Sequence, residues 1–361
     1  MPTLQLWVYD ECLASAVSGP LDVFATANTV WKQLHPSSEK PLFHWRVMSL
    51  DGKRVLSAPG LPVVVDGKIN PRRAADAVLL PGIYCGGGVQ QLLGRLDQLR
   101  RLSSPLRRMH EAGSIIAANC SAAFLLAEAG LLHERPATTS WWLTSAFRAR
   151  YPSAQLEPSA VLTERDRLIC SGATTAYLNL ALRLVERLAG MELAAVCARL
   201  LLIDANRTSQ APYMTPTLQE HAPHSDAIVL RAQRWIAQHL AESISLEQLA
   251  RALATSERTL IRRFHGALHT TPTHYVQLQR VEVAKGLLET STLSVDVISQ
   301  RVGYADLGSF RKLFSRMVGL TPAAYRARFA RRATPAPSSV VARAARVARG
   351  SGRGARALRA R

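Results

Sequence analysis

Hydrophobic residues follow one rhythm in the first part of the chain and another in the last third. Up to residue 205, short apolar runs at 4–9, 43–49, 77–80 and 114–118 alternate with helix-like stretches such as 20–31 and 89–110. Strands alternating with helices predict an α/β domain at 1–205, a mostly parallel sheet with helices on both faces. Segments 178–188 and 192–203 read as further helices at its edge. Residues 206–225 (NRTSQAPYMTPTLQEHAPHS) lose the helical period and carry three prolines, which predicts a linker. From 226 to 330 everything reads as helix, predicting an all-α second domain. The remainder, 331–361, is dominated by Ala, Arg, Pro, Ser and Gly, the composition of a disordered basic tail. Within it Arg343, Arg346 and Arg349 have the spacing to line one face of a short helix.

The helical third repeats itself at about 50 residues. Thr271-Pro272-Thr273-His274-Tyr275 recurs as Thr321-Pro322-Ala323-Ala324-Tyr325, and Leu260 with Phe264 recurs as Phe310 with Phe314. Leu249 and Leu253 correspond to Ile298 and Val302. Each copy reads as helix, tight turn, helix. Ser245 and Gln248 form a capping box for the first helix, and Ser256 opens the second after a break at 254–255. In the second copy Ser294 starts a helix, Gly303 supplies the turn and Asp306 caps the next helix. Tyr275, Leu278, Val281, Ala284 and Leu288 recur at helical spacing and describe one long helix between the copies. Two such units on one rigid module can enter successive major grooves, about 34 Å apart on one face of a duplex.

Charge supports a polyanionic partner. The net charge of +19 is uneven: +4 over 1–225, +6 over 226–330, and +9 in the tail, which has no acidic residue. The five cysteines, Cys12, Cys85, Cys120, Cys170 and Cys197, are scattered without a C-x-x-C pair, as in a reduced intracellular protein with no structural metal or disulfide. No apolar run of about 18 residues is present, and the N-terminal residues lack the pattern of a secretory signal, so a cytoplasmic protein away from membranes is expected.

The stretch VGYADLGSFRKLFSRMVGLTPAAYRARF, within about 100 residues from Ile244 to Phe329, resembles the AraC/XylS family of transcriptional regulators. Ser299 departs from that pattern, which usually has Ala packed in the turn. By this resemblance Arg258, Ile261 and Arg262 face bases in the first unit, and Gly308, Ser309 and Lys312 in the second. Arg258 and Arg262 have the chemistry for bidentate contacts to guanine; Ile261 offers only apolar contact to a thymine methyl, and Gly308 reads nothing directly. Arg263, Arg311 and Arg316 are assigned to phosphates. The first unit is therefore expected to carry more of the specificity.

A second resemblance lies in the first 205 residues. Residues 114–126 (SIIAANCSAAFLL) read as a strand running into a helix with Cys120 at the junction, as in a nucleophile elbow. A helix N-terminus there would favour a thiolate. With Gly19-Pro20-Leu21-Asp22-Val23-Phe24 and Ala137-Thr138-Thr139-Ser140-Trp141-Trp142, this stretch resembles PfpI-type, class I glutamine-amidotransferase-like domains, and more narrowly the GlxA-like regulators that join one to an AraC-type reader. In the PfpI-type proteases a His follows the nucleophile, where this chain has Ser121; GlxA-like members often have His where this chain has Ser140. The domain is therefore expected to sense rather than catalyse, with Cys120 a vestigial nucleophile, a packed elbow residue, or a redox trigger with Cys85 nearby. Candidate ligand contacts are Asp22, Gly82, Tyr84, Cys120, Ser121 and Trp141; Gly82 and Tyr84 belong to the GIYCGGG stretch that follows the strand at 77–80. By the resemblance the effector is a small nitrogenous metabolite, and no cofactor is expected. The expected partners are double-stranded DNA and a second copy of the chain, with RNA polymerase a further candidate. The alternative from another class is a cysteine-dependent amidase or protease with an accessory nucleic-acid-binding domain.

Overall fold

The computed structural model describes residues 1–73, 75–215 and 225–330. The expected tail at 331–361 and the later part of the expected linker lie outside the described residues.

The chain opens with β1 (Thr3–Trp7), α1 (Ser15–Leu34) and β2 (His44–Ser49), then a small antiparallel pair, β3 (Val55–Leu56) and β4 (Pro62–Val63), and β5 (Gly67–Lys68). Next come β6 (Ala77–Leu80), α2 (Val89–Leu99), α3 (Ser103–Glu111), β7 (Ile115–Asn119) and α4 (Ala123–Glu128). After β8 (Pro136–Ala137), α5 (Thr144–Arg150) and β9 (Gln155–Leu156), the domain closes with β10 (Leu162–Arg165), β11 (Leu168–Ser171), α6 (Tyr177–Ala189) and α7 (Met191–Leu200). Seven strands form one sheet in the order β10-β11-β7-β6-β1-β2-β5, all neighbours parallel except β10 and β11. β6 and β7 are buried at every position, as strands covered by helices on both faces must be. The chain leaves β1 toward β2 on one side and returns to β6 on the other. The carboxyl ends of β1, β6 and β7 therefore border a topological switch point, where open α/β sheets bind ligands.

Three expectations change here. The helix expected at 89–110 is two, divided by a 3-10 turn at Arg100–Leu102. Pro105 is the reason: without an N–H it fits the first turn of α3 but not the interior of a continuous helix. The helix expected from Pro20 begins earlier, at Ser15, because Ala16 and Val17 are buried. The hairpin β10–β11 was not expected at all; its turn places Asp166 and Arg167 at positive φ (51° and 62°), positions where a glycine would have signalled it.

The second region contains α8 (Ala227–His239), α9 (Leu246–Ala252), α10 (Glu257–Leu268), α11 (Pro272–Thr290), α12 (Val295–Arg301), α13 (Leu307–Val318) and α14 (Pro322–Phe329). The repeat is physical as well as sequential. Ser245 and Ser294 cap α9 and α12, Ser256 and Asp306 cap α10 and α13, and Thr271 and Thr321 cap α11 and α14. Phe264 meets Tyr275 edge-on at 5.8 Å between ring centroids, and Phe314 meets Tyr325 at 5.6 Å. α11 serves both cores: Tyr275 and Val276 join the first, Val281, Ala284 and Leu288 the second. Ser299 is accommodated because its hydroxyl bonds the Tyr304 carbonyl across the turn at 3.2 Å.

Between the units sits the buried Arg280. Its guanidinium donates to the carbonyls of Leu240 (3.1 Å) and Glu242 at the end of the first unit's α8 region, and lies 5.0 Å from the Tyr304 ring in the second unit's turn. Gly303 makes room for it: a Cβ there would lie 2.7 Å from Arg280 Nη2 and 2.9 Å from the Leu240 carbonyl oxygen, at a φ of +84°. Gly303→Ala is therefore expected to destabilise the helical region by about 2–3 kcal/mol, combining left-handed strain with displacement of Arg280. Denaturant unfolding of the full chain followed by helical circular dichroism checks this; an unchanged midpoint for the helical transition would contradict it.

Candidate nucleic-acid interface and effector site

α10 buries Leu260, Phe264 and Leu268, and α13 buries Phe310, Leu313, Phe314 and Val318. That leaves Arg258, Ile261, Arg262 and Arg263 exposed on α10, and Gly308, Ser309, Arg311, Lys312 and Arg316 exposed on α13. Among the described residues, no salt bridge holds Arg258, Arg262, Arg311, Lys312 or Arg316. Arg263 is different. It pairs with Asp226 at 2.9 Å, and Asp226 also caps α8 through the Ile228 and Val229 amides. α10 packs on α8, which brings position 263 beside that cap while its side chain stays 42% exposed. In α13 Ser309 is likewise engaged with its cap: Asp306 accepts from the Ser309 hydroxyl and from the Ser309 and Gly308 amides, which holds its carboxyl below the ordinary range. Where a side chain would stand at Gly308, the nearest atoms are those of the Asp306 carboxyl, at 3.4 Å and beyond. Arg316 lines a groove of about 690 Å³ together with His265, His269, His274 and, from α5, Arg148.

The second site builds around Cys120. β7 delivers the chain to the elbow, where Cys120 takes a positive φ of 59°, a strained conformation for a residue with a side chain. Gly82, just after β6, permits the approach: a Cβ there would lie 3.1 Å from the Cys120 Cβ and 3.4 Å from Asn119 Oδ1. The Thr138-Thr139-Ser140 segment closes the other side. Ser140 Oγ lies 2.6 Å from Cys120 Sγ, and Thr139 Oγ1 donates to the Cys120 carbonyl at 2.9 Å. Ser121 Oγ donates to the Ile83 carbonyl at 2.6 Å. Trp141 is buried, its ring edge-on to Trp142 at 5.3 Å.

The elbow geometry of a nucleophile is thus present, but the partner of the thiol is a hydroxyl, not an imidazole or carboxylate. Burial pushes the Cys120 thiol above its ordinary range, and bonds from Ser140, Ser121 and Thr174 offset it only in part. An expected helix-terminus thiolate therefore gives way to a neutral, desolvated thiol. Two ligand candidates do not join this group. Asp22 is exposed on α1 beside the buried Val23 and Phe24, because that face of the helix points away from the sheet. Tyr84 is 44 % exposed and lies over Gly86, although its neighbour Ile83 is bonded to Ser121 of the elbow. Ser140 and Gln210 are the residues the sequence reading missed as site members. Ser140 stood in the right segment but was read only for the His it lacks, and Gln210 lay in the presumed linker. Gln210 is in fact buried against Thr138 and Thr139, so the chain at 206–214 remains part of this site's wall.

Residues 249–328 match a helix-turn-helix domain, and residues 22–187 match the DJ-1/PfpI family. Three regulators of Pseudomonas aeruginosa align with most of the chain. HTH-type transcriptional regulator GbdR is 27% identical over 289 residues, spanning 79% of this chain and 75% of its own. CdhR is 25% identical over 286 residues (79% and 82%), and ArgR is 25% identical over 255 (67% and 76%). With two capped reader units behind an α/β domain, these matches define a DNA-binding transcriptional regulator. The chain joins a DJ-1/PfpI-family domain to a helix-turn-helix domain that follows it, and along most of its length it is similar to HTH-type regulators. Among the described residues no helix is long and apolar enough to cross a membrane.

Burial also raises the thiols of Cys12, to about 11, and Cys170, to about 12, from an ordinary 9.0. A neutral thiol favoured by the fold stabilises it fully below the unfolded value and stops doing so as pH rises through the folded ones. The melting midpoint of the α/β domain under reducing conditions is therefore expected to fall between pH 8 and pH 11. A midpoint flat over that window would contradict the burial of these thiols.

Proposed function

We propose that the chain reads an operator through Arg258, Ile261 and Arg262 of α10 and Gly308, Ser309 and Lys312 of α13, with Arg311 and Arg316 on phosphates. The observation that carries this reading is the set of unpaired cations on the faces of α10 and α13 opposite their buried anchors, mounted on a single helix, α11. The first unit supplies most base discrimination, since Arg258 and Arg262 are both exposed and unpaired, whereas α13 offers Gly308 and an engaged Ser309. A dimer of the chain in the cytoplasm would engage repeated half-sites, with RNA polymerase a further candidate contact. In this reading an α/β sensing domain at 1–205 precedes a connection at 206–225, whose residues up to 214 pack on it, and a reader at 226–330.

The DJ-1/PfpI-type domain acts in this reading as a sensor without turnover, supported by a buried neutral thiol bonded to Ser140 and by relatives that are regulators. Its effector, a small nitrogenous metabolite, binds at the carboxyl ends of β1, β6 and β7, where Gly82, Cys120 and Ser121 converge and Trp141 stands nearby.

On a duplex recovered by selection, Arg258→Ala and Arg262→Ala should each weaken binding by about 1–3 kcal/mol and relax preference at one base pair. Arg311→Ala should weaken all sequences alike and lower the salt slope by about 1. Arg258→Ala with an unchanged base preference would contradict the assignment. For the sensor, a thermal-shift screen over amino acids, amines and betaines is expected to yield a compound that raises the α/β transition and loses its effect in Gly82→Val. A screen with no stabilising compound would count against a nitrogenous effector.

A further inference from the structure

The segment that leaves the sensing domain is fastened at both ends by buried groups. Thr208 O accepts from the Val161 amide at 3.0 Å, and the Gln210 amide donates to Ser159 O at 2.7 Å. The Gln210 side chain, 4% exposed, then plugs the wall of the elbow. Its Oε1 accepts from the Ala173 amide at 3.1 Å, and its Nε2 lies 2.8 Å from Pro158 O and 3.0 Å from Thr139 O. Gly172 exists to admit it, since a Cβ there would lie 2.7 Å from Gln210 Oε1. Thr139 in turn holds the Cys120 carbonyl, so a single residue separates Gln210 from the elbow.

Three residues later the same segment grips the reader. A tight turn folds the Tyr213 amide back to the Gln210 carbonyl at 2.9 Å. The Tyr213 ring stands edge-on to Phe329 of α14 at 5.2 Å, and its hydroxyl accepts from Arg328 at 3.1 Å. Arg328 also reaches Asp204 at 3.3 Å. Most telling is Lys285 on α11. The residue is 4% exposed, and its ammonium donates to the Met214 carbonyl at 2.6 Å, with Glu282 more distant at 3.4 Å. A buried ammonium depends on its few partners, because losing one leaves a desolvated charge. The helix that carries it fills both reader cores and sets the separation of α10 and α13.

We propose that residues 206–214 transmit the state of the Cys120 elbow to the reader, with Gln210 and Lys285 the positioning residues at the two ends. This deepens the regulator reading and rests on it. An effector that shifts Thr138–Ser140 must move or release Gln210, and the Met214 carbonyl moves with it. Lys285 then loses its best partner or draws α11 along. Coupling between two sites is reciprocal, so operator binding must alter the elbow just as elbow occupancy alters operator binding.

That reciprocity allows a test without the effector. In the full chain carrying Cys85→Ser, the rate at which a thiol reagent labels Cys120 is measured by peptide mass spectrometry, with and without a selected operator duplex. We expect the operator to change the rate by about fivefold or more, the lower range of ordinary site-to-site coupling. In Gln210→Met, which keeps the volume but not the bonds, the change should collapse while operator binding persists. Tyr213→Ala, which loosens the reader end without unburying a charge, should do the same if Gln210→Met does not fold. An operator that binds but leaves the Cys120 rate unmoved overturns the proposal, as does coupling undiminished in the variants. A chain that selects no operator overturns the regulator reading beneath it.

Discussion

The reader depends on one buried cation. Arg280 bridges the end of α8 and the turn before α13, and its charge is tolerated only because two carbonyls and the face of Tyr304 surround it. Without that pin the two helix-turn-helix units would be separate hydrophobic cores threaded on α11, free to change their mutual angle. With it, α10 and α13 are held at one spacing, which is the quantity a duplex with successive major grooves interrogates. Gly303 is the geometric companion of this interaction, since only a residue without a side chain leaves space for the guanidinium.

The α/β domain is organised by a comparable exchange of strain for position. Cys120 is held in a left-handed conformation by β7 on one side and by the Thr138–Ser140 segment on the other, while Gly82 closes over it. In a hydrolase such an elbow presents an activated nucleophile. Here the thiol is desolvated and bonded to Ser140, so the elbow keeps its shape while the thiol is held neutral. A strained, buried junction of this kind suits the proposed sensor role, because small changes in the flanking segment alter its packing and, with it, access to the thiol.

Much of this was legible in the sequence because it is local. The strand at Ala77–Leu80 and the caps Ser245, Ser294 and Asp306 follow from spacing, and the exposed face of α10 follows from Leu260 and Phe264 four residues apart. What escaped notice depends on partners far away in the chain. Lys285 meets a carbonyl 71 residues distant, Gln210 meets Thr139 also 71 residues distant, and Arg280 reaches back 40 to Leu240. Nothing in their neighbours announces such bonds. The loss of helical period at 206–214 even argued the other way, because irregular backbone reads as a linker whether it is free or fastened. The ion pair of Arg263 escaped notice for a related reason: its partner, Asp226, lies 37 residues back in the chain.

The measurement that bears most directly on the account is a selection of binding sites by the purified full chain from random duplex DNA at two salt concentrations. A rigid pair of readers predicts one extended motif, with two blocks about one helical turn apart whose spacing does not vary among recovered sites. Recovery of sequence-indifferent DNA, bound only at low salt, would mean that the basic charge acts alone and would contradict the account.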